Sequence, residues 1–475
     1  MLLARYFLLL LFISRAWPLF AQHQELTDQP GLWRGQSDKQ ADTLSLLSAF
    51  KRGTLQGHFR YFFMATDNTR PYRDYYAHAM GGGIKYETAP FHGFRMGVSG
   101  FFAFNIGSSN LSDPDPLTGQ MNRYEIGLFD IKDPANRTDI DRLEELYLQY
   151  EKKRTTIRVG RQLINTPFIN LQDGRMRPTE VSGVWTETSI GLSTRVQAGF
   201  LYKVSPRSTV NWYNIGSSIG VYPTGISPNG ERSGYAGYIK SKGILLMGLH
   251  HKWPGGLEGS IWNQFVENVF NTTLIQADWK TKPKAGTHWL AGIQFIQQNA
   301  VNAGGNSDPV HTYYEPRGQA RTFGIRVGLA SNRWEANLNY NRITAKGRYL
   351  MPREWGREPF FTFMPRERNE GLGDVHALVL KLGYKIPAQR IKLAAAAGYF
   401  DLPDVKDYAL NKYGFPSYTQ FNVDLRYEFG GWLKGLDAQL LAVYKARTGP
   451  DPGEGKYIIN KVDMLLWNLV FNFHF

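Results

Sequence analysis

The chain has 475 residues, no cysteine, a formal net charge of +14 and a mean hydropathy of −0.37. Without cysteine, disulfide frameworks, thiolate metal sites and cysteine nucleophiles are excluded, and beyond residue 21 no apolar run is long enough for a membrane helix. Aromatic residues at 14% with 49 glycines suit interfacial girdles and tight turns, and a barrel whose two faces alternate gives this weak a hydropathy signal.

Residues 1–21 read as a secretory signal, with Arg5, an apolar core from Tyr6 to Ile13, and Ala21 before Gln22. Residues 22–54 form an expected periplasmic tail, too short for a globular plug, with a short helix predicted over 43–50. The remainder, 55–475, reads as strands. Phe94, Met96, Val98, Gly100, Phe102 and Phe104 oppose Arg95, Gly97, Ser99 and Ala103; Phe323, Ile325, Val327 and Leu329 oppose Thr322, Gly324, Arg326 and Gly328. Trp334 to Asn341 and Phe421 to Phe429 alternate likewise. In Leu465, Trp467, Leu469, Phe471, Phe473 and Phe475 the period is again two, with Asn468, Asn472 and His474 between. A helix would put those asparagines on its apolar stripe, so the strand is preferred. An aromatic last residue after such a strand resembles the C-terminal insertion signal of bacterial outer-membrane barrels. Periodicity alone also fits a soluble β-sandwich, core in and polar out.

Eighteen such segments can be read, centred near Tyr61, Gly81, Ser99, Tyr147, Val159, Trp185, Ala198, Gly248, Ile261, Ile275, Ile293, Ile325, Leu338, Leu380, Ala395, Asp424, Leu440 and Leu469. Short connections (90–92, 153–154, 191–192, 253–255, 281–286, 331–333, 387–389 and 431–434) alternate with mostly long ones (106–142, 164–179, 204–235, 299–318, 345–374, 401–417 and 447–459). Short periplasmic turns and long external loops are the plan of an outer-membrane barrel, and an even strand count puts both termini on one side. The expected fold is therefore an all-β transmembrane antiparallel barrel of about eighteen strands. At that size side chains cannot fill the interior, so water occupies it unless a plug does; no plug domain is evident.

Two segments carry a family resemblance. One spans 59–97, with FRYFF, DYYAHAMGGGIKYET and HGFRMG in order; the other is RVGRQLINTPFINLQDGRMRPTEVSGVWTE, with its D-x-R-x-x-P loop and following glycine. Both resemble the OprD-type outer-membrane porins, monomeric, eighteen-stranded, substrate-specific channels. The resemblance implies that the third external loop, 164–179, folds into the lumen and forms its constriction. It also implies passive diffusion of small anionic or zwitterionic solutes, such as amino acids and short peptides, guided by lumen-facing arginines.

The residues allow a separate check. Arg60, Lys85, Arg95, Arg158, Arg326, Lys381 and Arg426 fall on the polar face, and the constriction loop offers Asp173, Arg175 and Arg177. Glu87, Glu258, Asp424 and Glu428 are the expected facing acids, and opposed charges across a narrow passage would attract zwitterions and anions. Arginine suits this because its fork stays charged and binds carboxylate bidentately. Rigid salt-bridged wall pairs are the alternative for each wall cation. Arg348, Arg353, Arg357, Arg366 and Arg368 cluster in the loop 345–374, where they are expected to reach lipopolysaccharide phosphates; outer-membrane lipid is thus an expected partner, and nucleic acid is not, since an exported barrel does not meet it.

Catalytic patterns are weak. Gly216-Ser217-Ser218-Ile219-Gly220 spells G-x-S-x-G without the strand and helix a nucleophile elbow needs. His250 and His251 are adjacent on a strand and point oppositely, which opposes joint chelation. Asp113, Asp115, Asp139 and Asp141 suit a solvated acidic loop better than a cation site. No enzymatic activity and no cofactor are expected. The competing class is a surface adhesin or partner-binding barrel with a closed lumen.

Overall fold

The computed structural model describes residues 32–33, 42–171 and 174–475; the leader and Asp173 lie outside the described residues. Among these, eighteen long strands close an antiparallel ring: β1 (Thr54–Asn68), β2 (Tyr75–Glu87), β3 (Phe94–Ser108), β4 (Ile140–Lys152), β5 (Thr155–Gln162), β6 (Glu180–Ile190), β7 (Thr194–Ser205), β9 (Ile244–Lys252), β10 (Leu257–Val266), β11 (Phe270–Lys280), β12 (Thr287–Ala300), β13 (Gln319–Ser331), β14 (Trp334–Ile343), β15 (Val375–Ile386), β16 (Ile391–Asp401), β17 (Tyr418–Glu428), β18 (Leu436–Arg447) and β19 (Met464–His474). The remaining β8 (Tyr213–Asn214) has two residues and pairs only with the end of β7, which pairs directly with β9. A stretch this short has no period to read, so the sequence gives no sign of it. A helix, α1 (Leu46–Lys51), falls within the tail; the Ser45 hydroxyl accepts its Ser48 N–H at 3.2 Å.

The ring closes where β1 pairs with β19, from His58↔His474 to Asn68↔Met464. Gly57 N–H donates to Phe475 O at 2.8 Å and Phe475 N–H to Gly57 O at 3.1 Å. The Phe475 ring lies over Gly57, where any Cβ would overlap it. Closure matters energetically because each backbone group left unpaired in hydrocarbon costs several kcal/mol. Outside the ring Phe421, Val423, Leu425 and Tyr427 are exposed, while Gln420, Asn422 and Asp424 are buried within; Leu465 to Phe475 and Phe323 to Leu329 follow the same rule. The apolar faces predicted from alternation are the outward ones.

Inner turns are tight, as at Gly255 and Gly256, whose φ values of +85° and +84° other residues rarely adopt. The outer connections L1 to L9 span 69–74, 109–139, 163–179, 206–243, 267–269, 301–318, 344–374, 402–417 and 448–463. L3 turns inward, and so do L2, L4 and L7. One apolar cluster joins Phe62, Met64, Phe101, Val443 and Leu466 of the wall to Leu111, Ile126, Leu128, Phe129 and Met176 of L2 and L3. A second joins Trp185, Trp262, Phe270, Val375 and Phe400 of the wall to Phe168 of L3, Ile219 of L4 and Tyr349, Trp355, Phe360 and Met364 of L7. The expected inward fold of L3 is found, and L2, L4 and L7 turn inward beside it. In the long-loop half, loops pack over lumen-facing strand residues, apolar ones such as Phe62 and Leu466 and polar ones such as Lys445, which pairs with Glu367 of L7 at 2.8 Å.

Candidate functional site

L3 is held in place by short-range bonds that its sequence supplies. Thr166 Oγ1 accepts from Ile169 N–H at 3.0 Å and donates to Ile169 O at 2.9 Å, folding the descending arm. Asn170 Nδ2 donates to Arg357 O at 2.8 Å while Arg357 N–H returns to Asn170 Oδ1 at 3.0 Å, and Thr179 Oγ1 donates to Glu354 O at 2.8 Å. L3 and L7 therefore hang together across the lumen.

At their junction the guanidiniums of three loops converge on Gly174. Arg175 Nη1 donates to Gly174 O at 2.6 Å, and Arg366 Nη1 of L7 to the same oxygen at 3.2 Å. A Cβ on Gly174 would lie 3.2 Å from Arg366 Nη1 and 3.8 Å from Arg207 Nη1 of L4. Arg175 itself lies across Gly127 of L2, where any Cβ would overlap its Nε. Arg366 also donates to Asn468 Oδ1 at 2.7 Å, and Arg207 contacts the Tyr222 hydroxyl. Carbonyl, amide and phenol groups orient the guanidiniums, and Glu125 is an acid close enough to act on Arg175. Burial, and then Arg366, pushes the Arg175 pKa down to about 9; burial, and then Arg175, does the same to Arg207. Both keep their charge at neutral pH.

Arg177 is separate from this group. Burial and then Arg142 lower it to about 10, Glu144, Glu180 and Asp130 oppose the fall, and its Nη2 donates to Ile140 O at 3.2 Å. The two arginines, two positions apart in sequence, thus enter different clusters, one dominated by guanidiniums and one mixed. Arg207 and Arg366 were missed by sequence reasoning as partners of Arg175, because loops carry no periodicity that could align them.

The seven wall cations face the lumen and are distributed as follows. Lys85 pairs with Glu145 at 3.0 Å, Arg95 with Glu87 at 3.4 Å, Arg326 with Asp278 at 2.7 Å and Arg426 with Asp424 at 3.2 Å. Arg158 donates to Gln149 Oε1 at 2.6 Å and sits 4.4 Å from the Tyr147 ring. Arg60 lies 5.4 Å from the Phe62 ring, and Lys381 is buried. Pairing runs along the wall, on the same or a nearby strand. Among the expected acids, Glu428 meets Lys392 and Glu258 meets Lys252, both at 3.0 Å; Asp278 and Glu145 are the acids that sequence reasoning missed.

Beneath L3 is a cavity of about 580 Å³, lined by Arg158, Glu187, Arg195, His250, Trp185 and Trp262 among others. A second recess brings Arg357, Arg366, Asp424 and Arg426 around Gly174. The expected lipopolysaccharide contact of the L7 arginines is overturned. Arg348 donates to Ile226 O at 2.8 Å, Arg353 pairs with Glu370, Arg357 lies 4.6 Å from the Phe363 ring, and Arg368 donates to Gly356 O. All five are partly or wholly buried, since L7 folds inward to bury its aromatics and carries them along.

Ser218 sits in a four-residue helix, Ile215–Ser218, fully buried, where it accepts from Trp355 Nε1 at 2.9 Å. Its role there is to tie L4 to L7. His250 faces the cavity and His251 bonds Thr194 outside at 2.7 Å. Asp113 meets Arg73 at 3.6 Å, and Asp115 receives Arg73 N–H at 2.9 Å.

Residues 132–350 match the model of the outer membrane porin, OprD family. No curated protein matches the sequence. Among solved structures, Pseudomonas aeruginosa OccD3 (OpdP) is similar with a TM-score of 0.69 and 13% identity, over 96% of this chain and 99% of that one. Acinetobacter baumannii OccAB4 is similar at 0.68 and 15%, over 89% and 98%. Pseudomonas aeruginosa OpdK with vanillate is similar at 0.68 and 13%, over 90% and 99%. These identities speak for the fold; the sequence match over residues 132–350 is to the OprD family of outer-membrane porins, which are channels and not enzymes.

Proposed function

We propose that this porin passes small carboxylate-bearing or zwitterionic solutes, amino acids and short peptides among them, by passive diffusion. The observation that carries the reading is the convergence of Arg175, Arg207 and Arg366 on Gly174, oriented there by carbonyl, amide and phenol groups. Guanidiniums held in a partly dehydrated passage attract carboxylate and offer it a matched pair of donors. Vanillate, present in the similar OpdK structure, is itself a carboxylate. Arg177 and Asp173 belong to the same loop, and the wall cations, most of them beside acids, line the approach below it with opposed charges. The chain is exported with residues 1–21 as its leader, inserts in the outer membrane and acts as a monomer without a cofactor.

A surface-binding barrel with a closed lumen is the second reading, favoured by the packed long-loop half. Single-channel recording in planar bilayers separates the two. Discrete conductance that carboxylates block, with anion selectivity reduced when Arg175 and Arg177 become Gln and reduced further with Arg207→Gln and Arg366→Gln, supports the porin. A membrane that stays silent, or is indifferent to carboxylates, moves the surface-binding barrel to first place.

A further inference from the structure

L4 and L8 are rooted on almost opposite sides of the ring, L4 between β7 and β9 and L8 between β16 and β17. They nevertheless meet. Ile226 N–H of L4 donates to Lys412 O of L8 at 2.7 Å, and Lys412 N–H donates to Gly371 O of L7 at 3.0 Å. Any contact joining these roots has to cross the mouth.

The Lys412 side chain, 2% exposed, makes the crossing specific. Its ammonium donates to Tyr235 Oη at 2.9 Å and lies 4.9 Å from that ring, 4.8 Å from Tyr313 of L6 and 5.4 Å from Tyr413. Tyr235 and Tyr313 stand edge to face, with centroids 5.2 Å apart. Tyr413 is fixed in turn, its hydroxyl donating to Glu370 at 2.9 Å and its face carrying Arg353 at 3.9 Å. From L9, Lys461 Nζ donates to Tyr413 O at 2.9 Å and Gly414 O at 3.3 Å. Three rings around one ammonium form the kind of enclosure that recognises alkylammonium ligands. Here the occupant is the chain's own lysine.

We propose that L8 is a latch across the extracellular mouth, with Lys412 as a tethered ammonium ligand whose departure from the Tyr235, Tyr313 and Tyr413 cage opens the channel. The proposal rests on the channel reading for its conductance readout, but the latch has a second readout that does not depend on it. Because the bonds described here that cross to L4 and L6 meet at one residue, removing its charge weakens the bridge without touching the transmembrane wall. Solute reaching the mouth then meets the arginine junction only in the unlatched state.

The test uses the full chain with Lys412→Met, which keeps the length and loses the charge, and Lys412→Ala, which empties the cage. Retention of the heat-dependent gel shift of a folded barrel qualifies each variant. In planar bilayers the expected result is an open probability raised severalfold in both, and a return toward the closed state when n-butylammonium is added to Lys412→Ala but not to Lys412→Met. The chain lacks cysteine, so Thr224→Cys, 8% exposed and next to the Gly225 that packs against Lys412 and Tyr413 of L8, gives a single thiol. Its labelling by a bulky maleimide is expected to be at least tenfold faster with Lys412→Met. Unchanged labelling and unchanged gating overturn the latch, as does butylammonium acting equally on both variants. Faster labelling in a barrel that never conducts keeps the latch and overturns the channel reading.

Discussion

The two halves of the lumen follow the same strand alternation and meet different surroundings. In the periplasmic half, Lys85, Arg95, Arg158 and Arg426 lie on the wall beside Glu145, Glu87, Gln149 and Asp424. In the extracellular half, Phe62, Met64, Phe101, Val443 and Leu466 take equivalent inward positions and pack against loops. Alternation defines which side chains point in, but what they point at is decided by connections that have no period. A lumen position covered by a loop is buried against it, either as an apolar contact or, as with Gln298 donating to Leu350 O at 2.7 Å, through a hydrogen bond to the loop backbone.

If the extracellular half is a true core, truncating its centre will have core-sized consequences. Trp355→Ala, at a fully buried indole bonded to Ser218, is expected to weaken the loop layer by about 3–5 kcal/mol. Limited proteolysis should then cut L7 while the strands stay protected; intact L7 at unchanged protease concentration would erase the distinction between the halves.

A smaller effect is expected from pH. Burial, opposed by Arg368, raises the Glu358 carboxyl from its usual 4.5 to about 7. The folded loop thus holds a proton that the unfolded one releases, so this stabilisation is complete below about 4.5 and is lost as pH rises through 7. Every tenfold difference in proton affinity between the two states corresponds to about 1.4 kcal/mol. Protection of L7 amides, with exchange corrected for its intrinsic base-catalysed rate, should fall between pH 5 and 7.5, and Glu358→Gln should flatten that fall; an equal slope in both proteins would remove Glu358 from the account.

Selectivity offers a third contrast, without any change of charge. Gly127→Ala displaces Arg175, whose Nε occupies the space of the new methyl. Reversal potentials in a salt gradient should shift toward weaker anion preference by a factor of about 2–5, equivalent to about 0.4–1 kcal/mol at RT near 0.6 kcal/mol. Identical potentials would show that Arg175 does not set selectivity.

Last in size is the periplasmic wall. Arg158→Gln removes a bond to a neutral amide and a ring contact with Tyr147, worth about 1 kcal/mol or less. Thermal unfolding should move little. A loss comparable to Trp355→Ala would mean that the wall, too, is built as a core.

All eighteen long strands were legible because hydrocarbon demands apolar residues at every second position, as Phe421, Val423 and Leu425 show. The inward turn of L3 was legible only through resemblance, since nothing in Thr166 or Asn170 announces a partner in L7. Arg348 to Arg368 were misplaced for the opposite reason. A basic loop looks solvated until its aromatics, Trp355, Phe360 and Phe361, are seen to need burial. Arg207 and Arg366 illustrate the remaining limit, because three loops distant in sequence define one junction that no local spacing encodes.

The β1–β19 seam also imposes a schedule. The ring is sealed by pairing Thr54–Asn68 with Met464–His474, so the first strand to leave the ribosome receives its second neighbour from the last one. Its free edge stays a template for unwanted strands until that last pairing forms. Assembly of this barrel is consequently least protected at its oldest segment.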